Sequence, residues 1–228
     1  DIIFANPNNP TGLTVPVADI EKLVRKNPNR MVIVDEAYAD YSTESCIGLA
    51  TKYPNLVVVR TFSKSRNMAG THIGFAIASK DIVSDMNKIK FSFNPFNLNS
   101  VTMAAGIAAV KDTDYLKECV NTIIKNRKWF TRELENIGFD VIPSKANFVF
   151  CYHKNVESEE LCRKLKEEGI LTRHFADERL KKYLRITIGT RQEMIAVVIA
   201  IKEILLEKAG VDGETESFDL RLSKCVGA

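Results

Sequence analysis

The sequence predicts an α/β protein: a three-layer sandwich built on a mainly parallel sheet, followed by a smaller α+β domain. Three short runs rich in Val and Ile carry this prediction, at Ile2 to Ala5, Met31 to Val34 and Leu56 to Thr61. Continuous apolar runs of this length are typical of parallel strands covered on both faces. A helical pattern over Val17 to Lys26 separates the first two runs, which indicates a strand–helix–strand crossover.

The next part of the chain continues this pattern. The second connection, 44 to 54, is less regular but long enough to cross over, and a fourth strand is predicted from Ile73 to Ala78. Helices are predicted near 80–88, 101–110 and 114–137. Gly138 follows the last of them and suits the end of a helix, where the backbone often turns left-handed.

The smaller domain shows shorter alternating elements. Strands are predicted at 140–142, 147–151 and 184–188, and helices at 158–168 and 192–208. We therefore predict part of a large cofactor-binding domain at 1–115 and a small C-terminal domain at 116–209. Residues 210–228 show no clear period, which predicts a mobile tail.

Composition excludes several function classes. The 228 residues are 45% hydrophobic and 27% charged, with a formal net charge of only +3, so no nucleic-acid or membrane partner is predicted. Five scattered cysteines without a CxxC pair indicate free thiols in a reducing, cytoplasmic compartment, and no metal site. The chain opens on an apolar run without an initiator methionine, which predicts a piece of a longer polypeptide.

A short motif follows each of the first three strands. The motifs are NPNNPTG at 6–12, VDEAY at 34–38 and TFSKSR at 61–66. Since the carboxyl ends of parallel strands meet at one sheet edge, we expect Asn9, Asp35 and Lys64 to converge on one crevice. The amide, the carboxylate, the Tyr38 phenol and the lysine amine are the groups that hold and activate pyridoxal 5′-phosphate. This cofactor is therefore predicted.

These motifs, in this order and followed by LRITIGT at 184–190, resemble those of the fold-type I pyridoxal-phosphate aminotransferases. Three further segments are similar to the histidinol-phosphate aminotransferase branch: PFNLN at 95–99, SKANF at 144–148 and YLRITIGTR at 183–191. The resemblance implies amino transfer between histidinol phosphate and 2-oxoglutarate in histidine biosynthesis. It also implies a homodimer that takes a small-molecule amino donor and a 2-oxo acid. An N-terminal segment found in those relatives is absent from this sequence.

The resemblance also implies a role for each motif residue. Lys64 condenses with the cofactor aldehyde and then moves the substrate proton. Asp35, expected to be largely buried, pairs with the protonated pyridine nitrogen. Tyr38 and Asn9 bind the phenolic O3′. The alternatives are a solvated lysine, a structural salt bridge or helix cap, a packing tyrosine and a turn residue before Pro10.

The phosphate group of the cofactor is assigned to Ser63, with Thr61 or Ser65 as further donors. The family usually places an arginine eight residues after the lysine, but His72 stands at that position here. Imidazole does not replace a guanidinium fork without loss. Either His72 binds as imidazolium, or Arg66 partly substitutes, or cofactor affinity falls; we expect some weakening.

Two arginines are candidates for substrate binding. Arg185 lies in an apolar strand, where a guanidinium needs an anionic partner, and Arg173 matches a second arginine of the resembling branch; the alternative for Arg173 is an exposed surface residue. Three other functions stay open. They are an aminotransferase with another substrate, such as an aromatic amino acid, a lyase of the threonine-phosphate decarboxylase type, and an inactive fragment.

Overall fold

The computed structural model describes residues 1–209, which form two compact units. The first contains Asp1–Ile124 and Pro143–Asn147, and the second contains Lys125–Ile142 and the described residues from Phe148 onward. The division falls inside the long helix Thr113–Asn136, as does the predicted boundary at 115/116. The segment 143–147, predicted within the small domain, packs with the first unit instead. The predicted tail, 210–228, lies outside the described residues.

A four-stranded sheet forms the centre of the first unit. Its strands are β1 (Ile2–Ala5), β2 (Val32–Asp35), β3 (Leu56–Thr61) and β4 (Gly74–Ile77), in that spatial order. The first three strands are parallel, as predicted, and β4 pairs antiparallel to β3. The chain reverses between Thr61 and Gly74 through a loop with a single 3₁₀ turn, so β4 is not reached by a crossover helix.

One face of this sheet carries the core of the first unit. Helices α1 (Val17–Lys26) and α2 (Ile47–Ala50) both cover it. Side chains alternate along a strand, and the fully buried alternate set is Val32, Val34, Leu56 and Val58. On the opposite face Ile3 is 70% exposed. The expected cover on both faces is therefore wrong for this part of the sheet, because both crossover elements lie on the same side.

Three helices follow β4 in the chain. They are α3 (Lys80–Phe93), α4 (Ser100–Lys111) and α5 (Thr113–Asn136), each close to its predicted range. The side chain of Asn99 accepts a hydrogen bond from the Thr102 N–H, which satisfies a backbone donor at the start of α4. No residue of α3 is buried. Among the described residues, no helix is both long enough and apolar enough to cross a membrane.

The second unit is built on an antiparallel sheet. Its strands are β5 (Phe139–Ile142), β6 (Phe148–His153), β7 (Arg173–His174) and β8 (Leu184–Thr187), in the spatial order β5-β6-β8-β7. Helices α6 (Ser158–Glu167) and α7 (Arg191–Lys208) belong to this unit. Thr190 and Glu193 form a capping box that fixes the start of α7. The sequence did not predict β7, since a two-residue strand has no measurable alternation.

Gly12 allows two loops of the first unit to approach closely. Its backbone is left-handed, with φ of 76°. A Cβ atom at this position would lie 2.7 Å from the Cβ of Ser144 and 3.0 Å from its Cα. The Lys145 N–H donates a hydrogen bond of 2.8 Å to the Gly12 carbonyl. Gly12 therefore holds the segment 143–147 against the loop that follows β1.

We expect Gly12→Ala to lower the free energy of unfolding by on the order of 2 kcal/mol, because it adds both backbone strain and a clash with the Ser144 backbone. Gly48→Ala is the matched control. Gly48 lies within α2 with open space around its Cα, and alanine is the better helix former. Urea unfolding should show a lower midpoint for Gly12→Ala alone. Equal midpoints for the two variants would contradict the close approach.

Candidate active site

A cavity of about 540 Å³ lies at the carboxyl ends of β1, β2 and β3. It is lined by all six residues predicted to contact the cofactor: Asn9, Asp35, Tyr38, Ser63, Lys64 and His72. Where β1 pairs with β2, Ala5 lies opposite Asp35, and where β2 pairs with β3, Asp35 lies opposite Val59. Asn9, Asp35 and Lys64 therefore stand at three successive strand ends along the same sheet edge, as the crossover argument predicts.

Because side chains alternate along a strand, Asp35 and the next residue, Glu36, face opposite sides of the sheet. Asp35 shares its side of the sheet with Val59 and Thr61, and all three line the cavity. One of its oxygens, Oδ1, accepts the Ala37 N–H at 2.9 Å. Asp35 is exposed, so its expected burial is wrong. As the last residue of β2, it stands at the open edge of the sheet and not under the covering helices.

The NPNNPTG loop is closed by two of its own asparagines. The Asn6 amide bridges the loop ends, donating to the Val15 carbonyl at 3.1 Å and accepting the Val15 N–H at 2.8 Å. The Asn8 side chain accepts the Thr11 hydroxyl at 2.8 Å. Both side chains thus hold the loop itself, while Asn9 lines the cavity. The sequence motif alone does not separate these three roles.

Lys64 and Tyr38 lie side by side in the cavity. The Lys64 Nζ is 5.6 Å from the centroid of the Tyr38 ring, within the range of a cation–π contact. Tyr38 immediately precedes a 3₁₀ turn, Ala39–Tyr41, that follows β2. The Tyr38 ring thus lies beside the lysine although the two residues follow different strands.

The hydroxyl groups around Lys64 divide into two sets. Thr61 and Ser63 line the cavity, with their oxygens 3.0 Å apart, and the Ser63 N–H donates to Thr61 Oγ1 at 3.1 Å. Ser65 is only 2% exposed, and its hydroxyl donates to Asp40 Oδ2. Of the two further phosphate donors considered from the sequence, only Thr61 therefore lies at the cavity.

The two basic candidates for the phosphate differ in position. His72 lines the cavity, is exposed, and has a left-handed backbone with φ of 53°. Arg66 points elsewhere: its Nη1 donates to the Ala109 carbonyl at 2.5 Å, and its Cζ lies 5.4 Å from the Phe62 ring centroid. Partial substitution by Arg66 would require breaking these contacts. The structure thus favours the two remaining possibilities, namely that His72 binds the phosphate as imidazolium or that cofactor affinity is lower.

A buried polar network that the sequence analysis missed lies beside the cavity. The Glu36 carboxylate, 1% exposed, accepts hydrogen bonds from Arg60 Nε at 3.0 Å, the Ser45 hydroxyl at 2.7 Å and the Cys46 N–H at 2.5 Å. Arg60 Nη1 also binds Asp40 Oδ1 at 2.5 Å. The signal was present in the sequence, because an arginine in an apolar strand needs a partner, as was argued for Arg185.

Two of the cysteines, Cys46 and Cys151, are buried thiols. Burial, helped by the Glu36 carboxylate, raises the pKa of the Cys46 thiol to about 12, and burial alone raises the pKa of Cys151 to about 12. Both thiols are therefore protonated at neutral pH. The four cysteines within the described range are free: Cys46, Cys119, Cys151 and Cys162. No group of three or more His, Cys, Asp or Glu in residues 1–209 could hold a metal ion.

In the second unit, the two predicted substrate arginines are neighbours. Arg173 and Arg185 pair directly across β7 and β8. Their guanidinium carbons lie 5.5 Å and 5.7 Å from the centroid of the same ring, Phe175, and Arg185 is also 5.1 Å from the Phe148 ring. Like charges directly opposite each other are unfavourable in a sheet. Aromatic faces offset part of this cost, and an anion beside the pair would offset more.

Comparison with known families is consistent with this arrangement. The family model for aminotransferases of class I and II matches residues 2–201. A histidinol-phosphate aminotransferase of Clostridium botulinum is 44% identical over 203 residues, which is 89% of this chain and 57% of the relative. The chain thus spans little more than half the length of that curated relative.

Solved structures show the same similarity. The histidinol-phosphate aminotransferase of Clostridium acetobutylicum matches with a TM-score of 0.81 and 31% identity, covering 89% of this chain and 63% of that one. The enzyme of the same name from Sinorhizobium meliloti, in complex with pyridoxal-5′-phosphate, matches with a TM-score of 0.80 and 27% identity, over 90% and 57% of the two chains. The fold is therefore that of the pyridoxal-phosphate transferase sandwich, which was predicted.

We expect His72→Arg to tighten binding of pyridoxal phosphate by about tenfold, because a guanidinium can bind phosphate through two parallel hydrogen bonds. The dissociation constant can be measured by absorbance titration. Arg66→Ala is the control: its guanidinium is held by Ala109 and Phe62, so its loss should leave the constant unchanged. Unchanged affinity in His72→Arg would show that the imidazole already binds the phosphate as well as a guanidinium does.

Proposed function

We propose, on the premise that this chain belongs to the class I and II aminotransferase family, that it holds pyridoxal 5′-phosphate on Lys64. We further propose that it transfers an amino group between histidinol phosphate and 2-oxoglutarate, a step of histidine biosynthesis. The observation that carries the proposal is the convergence of Asn9, Asp35, Tyr38 and Lys64 on one cavity from separate strand ends. The free cysteines support a reducing, cytoplasmic setting.

The residues of the cavity fit this cofactor. A volume of about 540 Å³ suits a ligand of its size, since such sites commonly enclose about 300–1,000 Å³. The cavity combines an amine for the aldehyde, a carboxylate for the ring nitrogen, and hydroxyl and backbone N–H groups for the phosphate. When bound, pyridoxal phosphate supplies an electron sink for the negative charge that develops at the substrate Cα.

Asp35 and Tyr38 would set the electronic state of the ring. With Oδ1 on the Ala37 N–H, the Asp35 carboxylate keeps further lone pairs that can accept the proton-bearing pyridine nitrogen. A negative charge at this place stabilises that proton. The Tyr38 phenol and the Asn9 amide would donate hydrogen bonds to the O3′ oxygen and favour its anion.

Lys64 would serve twice. Its amine would hold the cofactor through the aldehyde carbon. With substrate present, the same amine would accept the proton from the substrate Cα as a general base and give it up again as a general acid. The centroid of the Tyr38 ring lies 5.6 Å from the Lys64 Nζ, so the ring would stand beside the amine during this transfer. Thr61, Ser63 and His72 would bind the phosphate.

Arg173 and Arg185 would bind the anionic group of the substrate. Their pairing across β7 and β8 places two like charges opposite each other, and a phosphate or carboxylate would relieve their repulsion. Guanidinium groups also match the planar geometry of such anions. This assignment favours an amino donor with a negatively charged group over a neutral one.

We also propose that the protein is a homodimer whose contacts include α3 and the segment that joins it to α4. Large apolar side chains are exposed there, including Phe93 at 88% and Phe96 at 91%. Exposed apolar side chains that lie this close together in the chain are costly in water and favour an interaction site here. The same segment contains PFNLN, one of the stretches that are similar to the histidinol-phosphate aminotransferase branch.

The first test is capture of the cofactor. After incubation with pyridoxal phosphate and reduction with borohydride, peptide mass spectrometry should find the adduct on Lys64. Lys64→Arg should abolish it, whereas Lys22→Arg, a surface lysine paired with Asp19, should not. Adducts spread over many lysines would contradict the assignment.

Unreduced protein loaded with pyridoxal phosphate then identifies the reaction. Histidinol phosphate should convert the bound cofactor to pyridoxamine phosphate, and 2-oxoglutarate should restore it. Release of carbon dioxide from threonine phosphate would indicate the lyase, and conversion only by an aromatic amino acid would indicate the related transaminase. If a reduced sample carries the adduct on Lys64 and the unreduced protein converts none of these substrates, this chain alone is inactive.

For the dimer, we expect the double variant Phe93→Ser, Phe96→Ser to sediment as a monomer at concentrations where the unchanged protein is a dimer. Removing two exposed phenyl rings takes away apolar area that only association buries. Leu171→Ser, an exposed apolar residue of the second unit, is the control and should leave the sedimentation coefficient unchanged. A monomeric unchanged protein would contradict the proposal.

A further inference from the structure

Two consecutive residues, Lys64 and Ser65, contact the short segment 38–41. The Lys64 amine lies over the ring of Tyr38, the residue that precedes the 3₁₀ turn Ala39–Tyr41. The hydroxyl of Ser65, buried at 2% exposure, donates to Asp40 within that turn. The lysine loop, residues 62–68, is thus joined to the turn at two points.

Asp40 is itself held in place by Arg60. Its Oδ1 accepts Arg60 Nη1 at 2.5 Å, which leaves Oδ2 for Ser65. Arg60 is fixed in turn, since its Nε binds the buried Glu36 at 3.0 Å and its Nη2 binds Ser45 Oγ at 3.0 Å. A hydrogen bond to a carboxylate that cannot move is a strong positional restraint.

We propose that Asp40 and Ser65 are positioning residues that set where the Lys64 amine stands relative to Tyr38. This inference rests on the proposed function, in which that amine must meet first an aldehyde carbon and then the substrate Cα. Neither Asp40 nor Ser65 lines the cavity, so they act through the backbone on either side of the amine. The bond between them works as a clamp on the lysine loop.

The lysine loop is also held by its own backbone and by side chains beyond Ser65. Two backbone bonds close it, from the Asn67 N–H to the Lys64 carbonyl at 3.2 Å and from the Met68 N–H to the Phe62 carbonyl at 3.1 Å. Arg66 and Asn67 join the loop to α4 and α5. The Ser65–Asp40 bond joins the residue next to Lys64 to the turn beside Tyr38.

The test compares Ser65→Ala and Asp40→Asn with Ser45→Ala. All three remove polar contacts of the same network, but Ser45 touches only Arg60, Glu36 and the Ile47 N–H, and not the lysine loop. A purely structural network predicts the same consequences for Ser45→Ala and Ser65→Ala. A clamp predicts consequences at Lys64 for Ser65→Ala and Asp40→Asn alone.

The first readout needs no cofactor. Hydrogen exchange of the Asn67 and Met68 amides should quicken by about tenfold in Ser65→Ala and Asp40→Asn, because the loop opens more often once its bond to the turn beside Tyr38 is lost. Ser45→Ala should leave these amides as in the unchanged protein. Exchange that is equal in all four proteins, or raised equally in all three variants, would overturn the clamp.

The second readout is the rate of borohydride-trapped adduct formation on Lys64 with pyridoxal phosphate. It should fall between about tenfold and a hundredfold in Ser65→Ala and Asp40→Asn, as expected for a displaced reactive group. The double variant should be no slower than the worse single one, since both changes break one bond. A double variant slowed by the product of the two single effects would overturn the clamp.

The two readouts separate this inference from the proposed function. If the unchanged protein forms no adduct on Lys64, the cofactor assignment fails while the exchange rates still decide the clamp. If the unchanged protein forms the adduct and the variants match it in both readouts, the clamp fails and the cofactor assignment stands.

Discussion

Neighbouring residues of a β-strand face opposite sides of the sheet, and the arrangement of the site depends on this constraint. At the end of β2 it sends Asp35 to the cavity and Glu36 to the side covered by helices. The parallel register then places Arg60, two residues after the buried Val58, on the same side as Glu36. One dipeptide thus contributes both to the lining of the cavity and to the framework that supports it.

The Glu36–Arg60 pair stabilises this framework only because its polar atoms are satisfied. Moving two charges out of water is expensive, and an ion pair alone seldom repays that cost. Here the carboxylate also accepts the Ser45 hydroxyl and the Cys46 N–H, while the guanidinium reaches Asp40 and Ser45. Such a network favours one arrangement of its members over others, which is useful where reactive groups from several strand ends must meet.

Much of the fold follows from local sequence. The three apolar runs and the helix between the first two fix the parallel strands, because period and length suffice to identify them. The direction of β4 and the existence of β7 do not follow, since both depend on pairing with a strand distant in sequence. The same holds for coverage of the sheet: the apolar pattern of β1 suggests two covered faces, but it cannot tell on which side each crossover element packs.

The candidate site shows a similar division. Residue types and their order beside strand ends were enough to bring six residues to one cavity, because the topology of a parallel sheet fixes where strand ends meet. Burial at that edge was not predictable. Asp35 was expected to be buried from the apolar residues before it, yet a strand's last residue lies where the covering layer ends.

Rigidity of the site arises from polar residues that never line it. Asn6 and Asn8 close the loop that presents Asn9, and Asp40 joins the turn beside Tyr38 to the residue beside Lys64. In each case the side chain belongs to a residue one to three positions from a cavity residue, and it forms hydrogen bonds with groups away from the cavity. Loops with their own polar groups satisfied lose less entropy when a ligand binds, so the reactive groups are held before the ligand arrives. A sequence motif such as NPNNPTG or DEAY therefore contains residues that support the site as well as residues that line the cavity.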